Sequence, residues 1–117
     1  MSIEIRSKGF SVTNAIREHA QRRLSFALDG FALESLRKVR RVVVHLGDLN
    51  GPKGGEDKFC RITADVGHKT VVVEDIQSNL YSAISRAAHR FAAKASRELS
   101  RAYRVPARTR AGDVVVA

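Results

Sequence analysis

The stretch "KFCRITADVGHKTVVVEDI", residues 58–76, decides the fold. In its first half Cys60, Ile62, Ala64 and Val66 alternate with Arg61, Thr63 and Asp65, the period-two pattern of a half-buried strand. Gly67, His68 and Lys69 make a short turn, and residues 70–76 resume in β-branched side chains. Strands this close in sequence are most simply joined as an antiparallel hairpin. A hairpin with one apolar face is marginal alone, so the rest of the chain has to supply more strands and a cover.

More strands lie upstream. In "VRRVVVHLGDL", residues 39–49, Val42, Val44 and Leu46 share a face, and in "SIEIRSK", residues 2–8, Ile3 and Ile5 alternate with polar neighbours. Between them the period changes. Val12, Ile16, Ala20, Leu24, Ala27 and Leu28 recur at three and four, marking one face of a helix. Thr13 is placed to cap its first turn, and Asp29-Gly30 to stop it, with Gly30 free to take the left-handed conformation. "NGPKGGED", residues 50–57, is a loop by composition.

A second helix starts near 77–79 and runs to about residue 102. At about 100° per residue, counted from Arg86, Leu80, Ile84, Phe91, Ala95 and Leu99 fall between roughly 120° and 220°. Arg90, Lys94, Arg97 and Arg101 fall within about 80° of Arg86. An apolar stripe therefore runs beside a cationic stripe about 22 Å long. The order β-α-β-β-β-α predicts an α+β two-layer sandwich: a mostly antiparallel four-stranded sheet with two helices on one face.

The 117 residues suit one small domain, read as 1–102, followed by a mobile basic tail at 103–117 in which Pro106 breaks the helix. Val114–Val116 offer a short segment to a sheet edge. No apolar run reaches the roughly 18 residues of a membrane span, and the N-terminus lacks the apolar core of a signal peptide. A single cysteine, Cys60, permits no internal disulfide, which fits a cytoplasmic location. The net charge is +9, distributed as +5 over residues 1–41, −2 over 42–78 and +6 over 79–117. Basic flanks around a mildly acidic middle point to a polyanion partner.

The strongest candidate site is the row Arg86, Arg90, Lys94, Arg97 and Arg101. Like charges at this spacing repel, and a row of phosphates would compensate them. Arginine suits bidentate phosphate contact. The competing readings are a solvated helix face and a basic helix lying on an anionic membrane. The alanine-rich apolar stripe reads as cover for a sheet instead, so no membrane partner is expected. Arg22 and Arg23, with His19, make a second basic cluster, and Arg37, Lys38, Arg40 and Arg41 a third. With both helices on one side of the sheet, their outer faces would make one continuous basic surface.

"GPKGGEDK" fails as a phosphate loop, because Lys58 is followed by Phe59 and a strand rather than by Ser or Thr and a helix; Lys53 and Lys58 remain in reach of a backbone. The four histidines lack metal-ligand spacing, and Asp48, Asp57 and Asp65 are a weak set, so no metal or other cofactor is expected. Cys60 reads as a core residue. No nucleophile-base grouping is present, so no catalytic residue and no small-molecule substrate are assigned. The few aromatics form no segment that would stack bases on a sheet. Contact through phosphates of structured RNA fits better than reading of a base sequence.

The order of elements, "SVTNAIREHAQRRLSFAL" in the first helix and "NLYSAISRAAHRFAAKASRELSR" in the second resemble the ribosome hibernation-promoting factor and ribosome-associated inhibitor family, short form. Val12, Thr13, Ala15, Ile16, Arg22, Arg23 and Leu24 match its first helix, and Leu80, Tyr81, Ala83 and Ile84 the opening of its second. Arg90 and Arg97 fall where that family tends to carry basic residues. Ala93 and Ser96 stand where it often has cations, and the loop at 47–57 is longer than usual. The resemblance covers about residues 1–102. It implies binding to ribosomal RNA of the small subunit, in the channel used by messenger and transfer RNA, and translation blocked by occupancy. The long form has a second domain that pairs ribosomes; these 117 residues leave no room for it, so pairing by that route is not expected. The alternatives are a general structured-RNA protein, which binds naked duplex equally well, and a regulatory module for an acidic protein.

Overall fold

Alternating side chains become strands, and the three-four periodicity becomes helix. The computed structural model describes residues 2–49 and 57–103, with side chains as far as residue 100. Its elements are β1 (Ile3–Lys8), α1 (Asn14–Ala27), α2 (Leu33–Arg37), β2 (Val39–Asp48), β3 (Lys58–Val66), β4 (Lys69–Gln77) and α3 (Leu80–Tyr103). The strands form one sheet in the order β1-β2-β3-β4. β1 is parallel to β2, whereas β2–β3 and β3–β4 are antiparallel. A parallel pair needs a crossover, and α1 supplies it by returning the chain to the start of β2.

One face of the sheet is covered. Val42, Val44 and Leu46 of β2, Cys60, Ile62, Ala64 and Val66 of β3, and Val71 and Val73 of β4 are buried in a single core. α3 lies over β3 and β4 and packs against α1. It contributes Ala83, Ile84, Ala87, Ala88, Phe91, Ala92, Ala95 and Leu99, while α1 contributes Ile16, Ala20 and Leu24. The alanines let α3 approach the sheet closely, and Phe91 is the large aromatic that it buries fully in the core. Removing that ring from water stabilises the fold by about 1.5–3 kcal/mol.

The helix starts are chemically defined. The Thr13 hydroxyl accepts from the Ile16 backbone N–H at 3.1 Å, and the Asn79 side-chain oxygen accepts from those of Tyr81 at 2.8 Å and Ser82 at 3.3 Å. Each satisfies first-turn donors that have no partner within the helix.

Three features depart from the sequence reading. α1 ends at Ala27, and the backbone N–H of Leu28 bonds to the carbonyl of Leu24 at 3.0 Å. Gly30 is not left-handed; positive φ occurs at Gly9, Gly67 and Arg41. Turns such as Asp29 N–H to Phe26 O and Phe31 N–H to Leu28 O close the chain there instead. Secondly, α2 is an additional helix of five residues with none buried, too short for periodicity to reveal. Thirdly, β2 carries a register irregularity between Arg40 and Val43, with Arg41 at φ 38°. Residues 50–56 and the tail beyond Tyr103 lie outside the described residues, so the expectations for Lys53, for most of the loop and for the tail, including Val114–Val116, concern positions not described.

Candidate nucleic-acid interface

The cationic stripe of α3 borders its buried stripe on the side of β4, which is an edge strand. The side chains reach down to that edge. Arg86 Nε lies 3.4 Å from Asp75 Oδ2, and Arg90 Nη1 lies 3.4 Å from Asp75 Oδ1. Arg90 also donates to the Glu74 carbonyl, and Lys94 Nζ donates to the Val72 carbonyl at 3.1 Å. These backbone acceptors would otherwise be open to another strand, so Arg90 and Lys94 close the edge.

The tether does not remove the cations from solution. The Arg86 and Arg90 side chains remain 64% and 52% exposed, whereas Asp75 is 10% exposed. Exposed ion pairs of this kind are worth about 0–1 kcal/mol each, little enough for a phosphate to displace. Arg97 is exposed and has no polar partner among the described residues. Arg101 lies on the last described turn of α3, and its side chain is outside the described set.

Arg22 and Arg23 stand elsewhere. His19 of α1 packs edge-on against Tyr81, with ring centroids 4.9 Å apart. Its Nε2 sits 3.1 Å from the Tyr81 carbonyl and 3.0 Å from Ser85 Oγ. It donates to the carbonyl in one tautomer and accepts from the hydroxyl in the other. Tyr81 and Ser85 lie about 100–140° around α3 from Arg86, on the far side from the cation row. α1 therefore flanks α3 opposite β4, and the two basic sets are divided by the helix between them. Arg22 is exposed without a polar partner among the described residues, and the Arg23 guanidinium lies 5.4 Å from the centroid of the exposed Phe26 ring. A single continuous basic surface across both helices is not what the packing produces.

The family model described as Sigma 54 modulation protein / S30EA ribosomal protein matches residues 3–102. This chain belongs to that family. Membership makes it a ribosome-associated protein of the hibernation and subunit-interface class, which is non-enzymatic. Two of the solved structures similar to this chain show the extent of the match. The Thermus thermophilus Protein Y N-terminal domain has 25% identity and TM-score 0.66, over 84% of this chain and 99% of that one. A ribosomal subunit interface protein from Coxiella burnetii has 12% identity and TM-score 0.70, over 86% of this chain and 99% of that one, and shows the shared fold. No curated protein sequence matches.

The remaining candidates resolve into structure. Lys58 Nζ bridges Asp48 at 3.2 Å and the fully buried Asp57 at 3.0 Å, and its hydrogen bond to Asp57 raises its pKa. An ammonium thus occupies the space between two of the carboxylates considered for a metal, while Asp65 accepts from Thr70 Oγ1 at 3.2 Å. Among the described residues no group of three or more His, Cys, Asp or Glu is arranged to hold a metal. Burial pushes the Cys60 thiol up to about 12, which leaves it an inert core residue. Arg40 donates to the Gly67 carbonyl at 2.8 Å, which ties it to the β3–β4 turn. No described helix is long and apolar enough to cross a membrane.

The edge-closing role of Arg90 and Lys94 was missed in the sequence. The available signal was their place immediately beside the apolar stripe, where a long cation lays its stem over the core margin.

Proposed function

We propose that this chain binds ribosomal RNA of the small subunit, in the channel used by messenger and transfer RNA, and silences idle ribosomes by occupancy. The observation that carries the reading is the row of exposed cations on α3 in a chain of net charge +9 that belongs to a ribosome-associated family. Arg86, Arg90, Lys94 and Arg97 supply the main phosphate contacts, with Arg101 extending the row and Arg22 and Arg23 supporting from α1. Its work is in the cytoplasm, where ribosomes are, under conditions that idle them.

Co-sedimentation with purified ribosomes across a salt series tests this, with naked duplex RNA as the control. Expected is ribosome-selective binding that weakens by about 0.7–0.9 log units per log unit of salt for each phosphate neutralised. Equal binding to naked duplex would make the chain a general structured-RNA protein, and indifference to both would remove RNA as the partner.

A further inference from the structure

The helices cover one face of the sheet, and among the described residues the other face is left open. On that open face the register sets Lys8, Gly47, Phe59 and Ile76 side by side across the four strands. The next row is Arg6, His45, Arg61 and Glu74. Six of these residues, Arg6, Lys8, His45, Gly47, Phe59 and Arg61, line a cleft of about 840 Å³. That is the size of a small-ligand site, for which about 300–1,000 Å³ is usual.

Gly47 gives the cleft its floor. A Cβ at that position would lie 2.1 Å from Phe59 Cε2 and 2.5 Å from Cζ, so the Phe59 ring rests directly over the glycine backbone. The ring is only half-buried. The Arg61 guanidinium sits 5.9 Å from its centroid, held by Glu74 at 2.9 and 3.1 Å. Arg6 is held by Glu4 at 2.6 Å through Nε alone, which leaves its terminal N–H groups free of that contact. Lys8 is exposed and has no polar partner among the described residues. The acid in the lining, Asp48, is engaged by Lys58.

We infer that this open-face cleft holds one unpaired nucleotide of an RNA strand, its base stacked on Phe59 and its phosphate bound by Lys8 and Arg6. A flat, partly exposed ring with Arg61 near it on β3 and Lys8 and Arg6 across β2 from it suits a splayed base and its backbone. A duplex keeps its bases inside and offers nothing to the ring. An acidic peptide satisfies the cations but brings no planar group to Phe59. The cleft faces away from the helices, so it adds a contact of a second kind to the helical phosphate contacts. The inference rests on the RNA-binding reading above for its class of ligand, and its test is separate from the ribosome.

The full chain has no tryptophan, so Phe59→Trp introduces a single reporter inside the cleft. Titration with a five-residue oligoadenylate should quench its emission saturably. Adding Arg6→Gln and Lys8→Gln should weaken that binding about 5-fold at 0.1 M salt, the effect of one phosphate no longer neutralised on a single strand. Phe59→Leu keeps an apolar cover on Gly47 without a π face. Measured by anisotropy of labelled oligoadenylate, it should bind about 5- to 150-fold more weakly than the parent. Emission that stays constant while anisotropy saturates, or parent-like affinity in Phe59→Leu, overturns the inference. Equal quenching by oligoglutamate overturns it in favour of an acidic protein segment. Quenching without ribosome co-sedimentation keeps this site and removes the ribosomal reading; co-sedimentation without quenching does the reverse.

Discussion

Arg90 and Lys94 close the β4 edge, and one pair of substitutions can separate that role from the phosphate contact proposed for them. Arg90→Gln with Lys94→Gln removes the donors to the Glu74 and Val72 carbonyls and one of the two cations on Asp75. Exposed contacts of this type contribute about 0–1 kcal/mol each, so the loss over the three is at most about 3 kcal/mol. In a domain of this size about 1 kcal/mol moves Tm by roughly 4–8 °C, so the variant should melt no more than about 24 °C lower. Its loss in binding should be larger. Two missing phosphate contacts lower the slope of log K against log salt by about 1.4–1.8, which at 0.1 M salt is a drop of about 25- to 60-fold. Arg97→Gln is the control, because Arg97 has no described tether. It should lose about 0.7–0.9 of slope with Tm unchanged. Calorimetry and ribosome co-sedimentation read the two quantities. A double variant that melts lower yet keeps the parental salt slope would refute the phosphate role and leave these cations as edge guards alone.

Gly47→Ala forces the Phe59 ring off the sheet and should cost about 1–3 kcal/mol by denaturant titration; in Phe59→Ala the same change should cost much less, because the clash is gone. Asn79→Ala should destabilise by about 1 kcal/mol through loss of the α3 cap, seen as a lower urea midpoint with unchanged m. Cys60, with its thiol raised from 9.0 to about 12, should carry about a thousandfold less thiolate at pH 8 than an unperturbed cysteine and react with a disulfide reagent only on unfolding. Combining Arg22→Gln with Arg97→Gln should lower the salt slope by the sum of the single losses, since the two residues lie on different helices.

What the sequence made legible is what depends on neighbours a few residues apart. The alternation over residues 58–66 and the three-four spacing in α1 and α3 are local, and they place the strands, the helices and the core stripe correctly. The edge role of Arg90 and Lys94 is not local. A cation just beside an apolar stripe lies equally well in solvent or over a sheet margin, and only the packing of α3 on β3 and β4 decides between them. Phe59 shows the same limit more sharply. Its place on the open face follows from alternation with Cys60, but its ring is seated by Gly47, a partner set by the β2–β3 register. Tyr81 and Ser85 likewise meet His19 across 62 and 66 residues, which is why the two basic helix faces looked continuous in sequence and are divided in space.

That division bears on the kind of site the domain fits. Cations stand on the β4 side of α3, on α1 beyond its other flank, and on the open face of the sheet at Arg6 and Lys8. A single straight duplex laid against the molecule would neutralise one of these sets and leave the others in water. An RNA surface that encloses its occupant meets all of them, and the same geometry makes each set contribute its own part of the salt dependence. Because every exposed tether is weak, the domain can surrender its internal ion pairs to phosphates on several sides without losing its fold. Net charge alone would have allowed either partner; the placement of the charge around the domain favours the enclosing one.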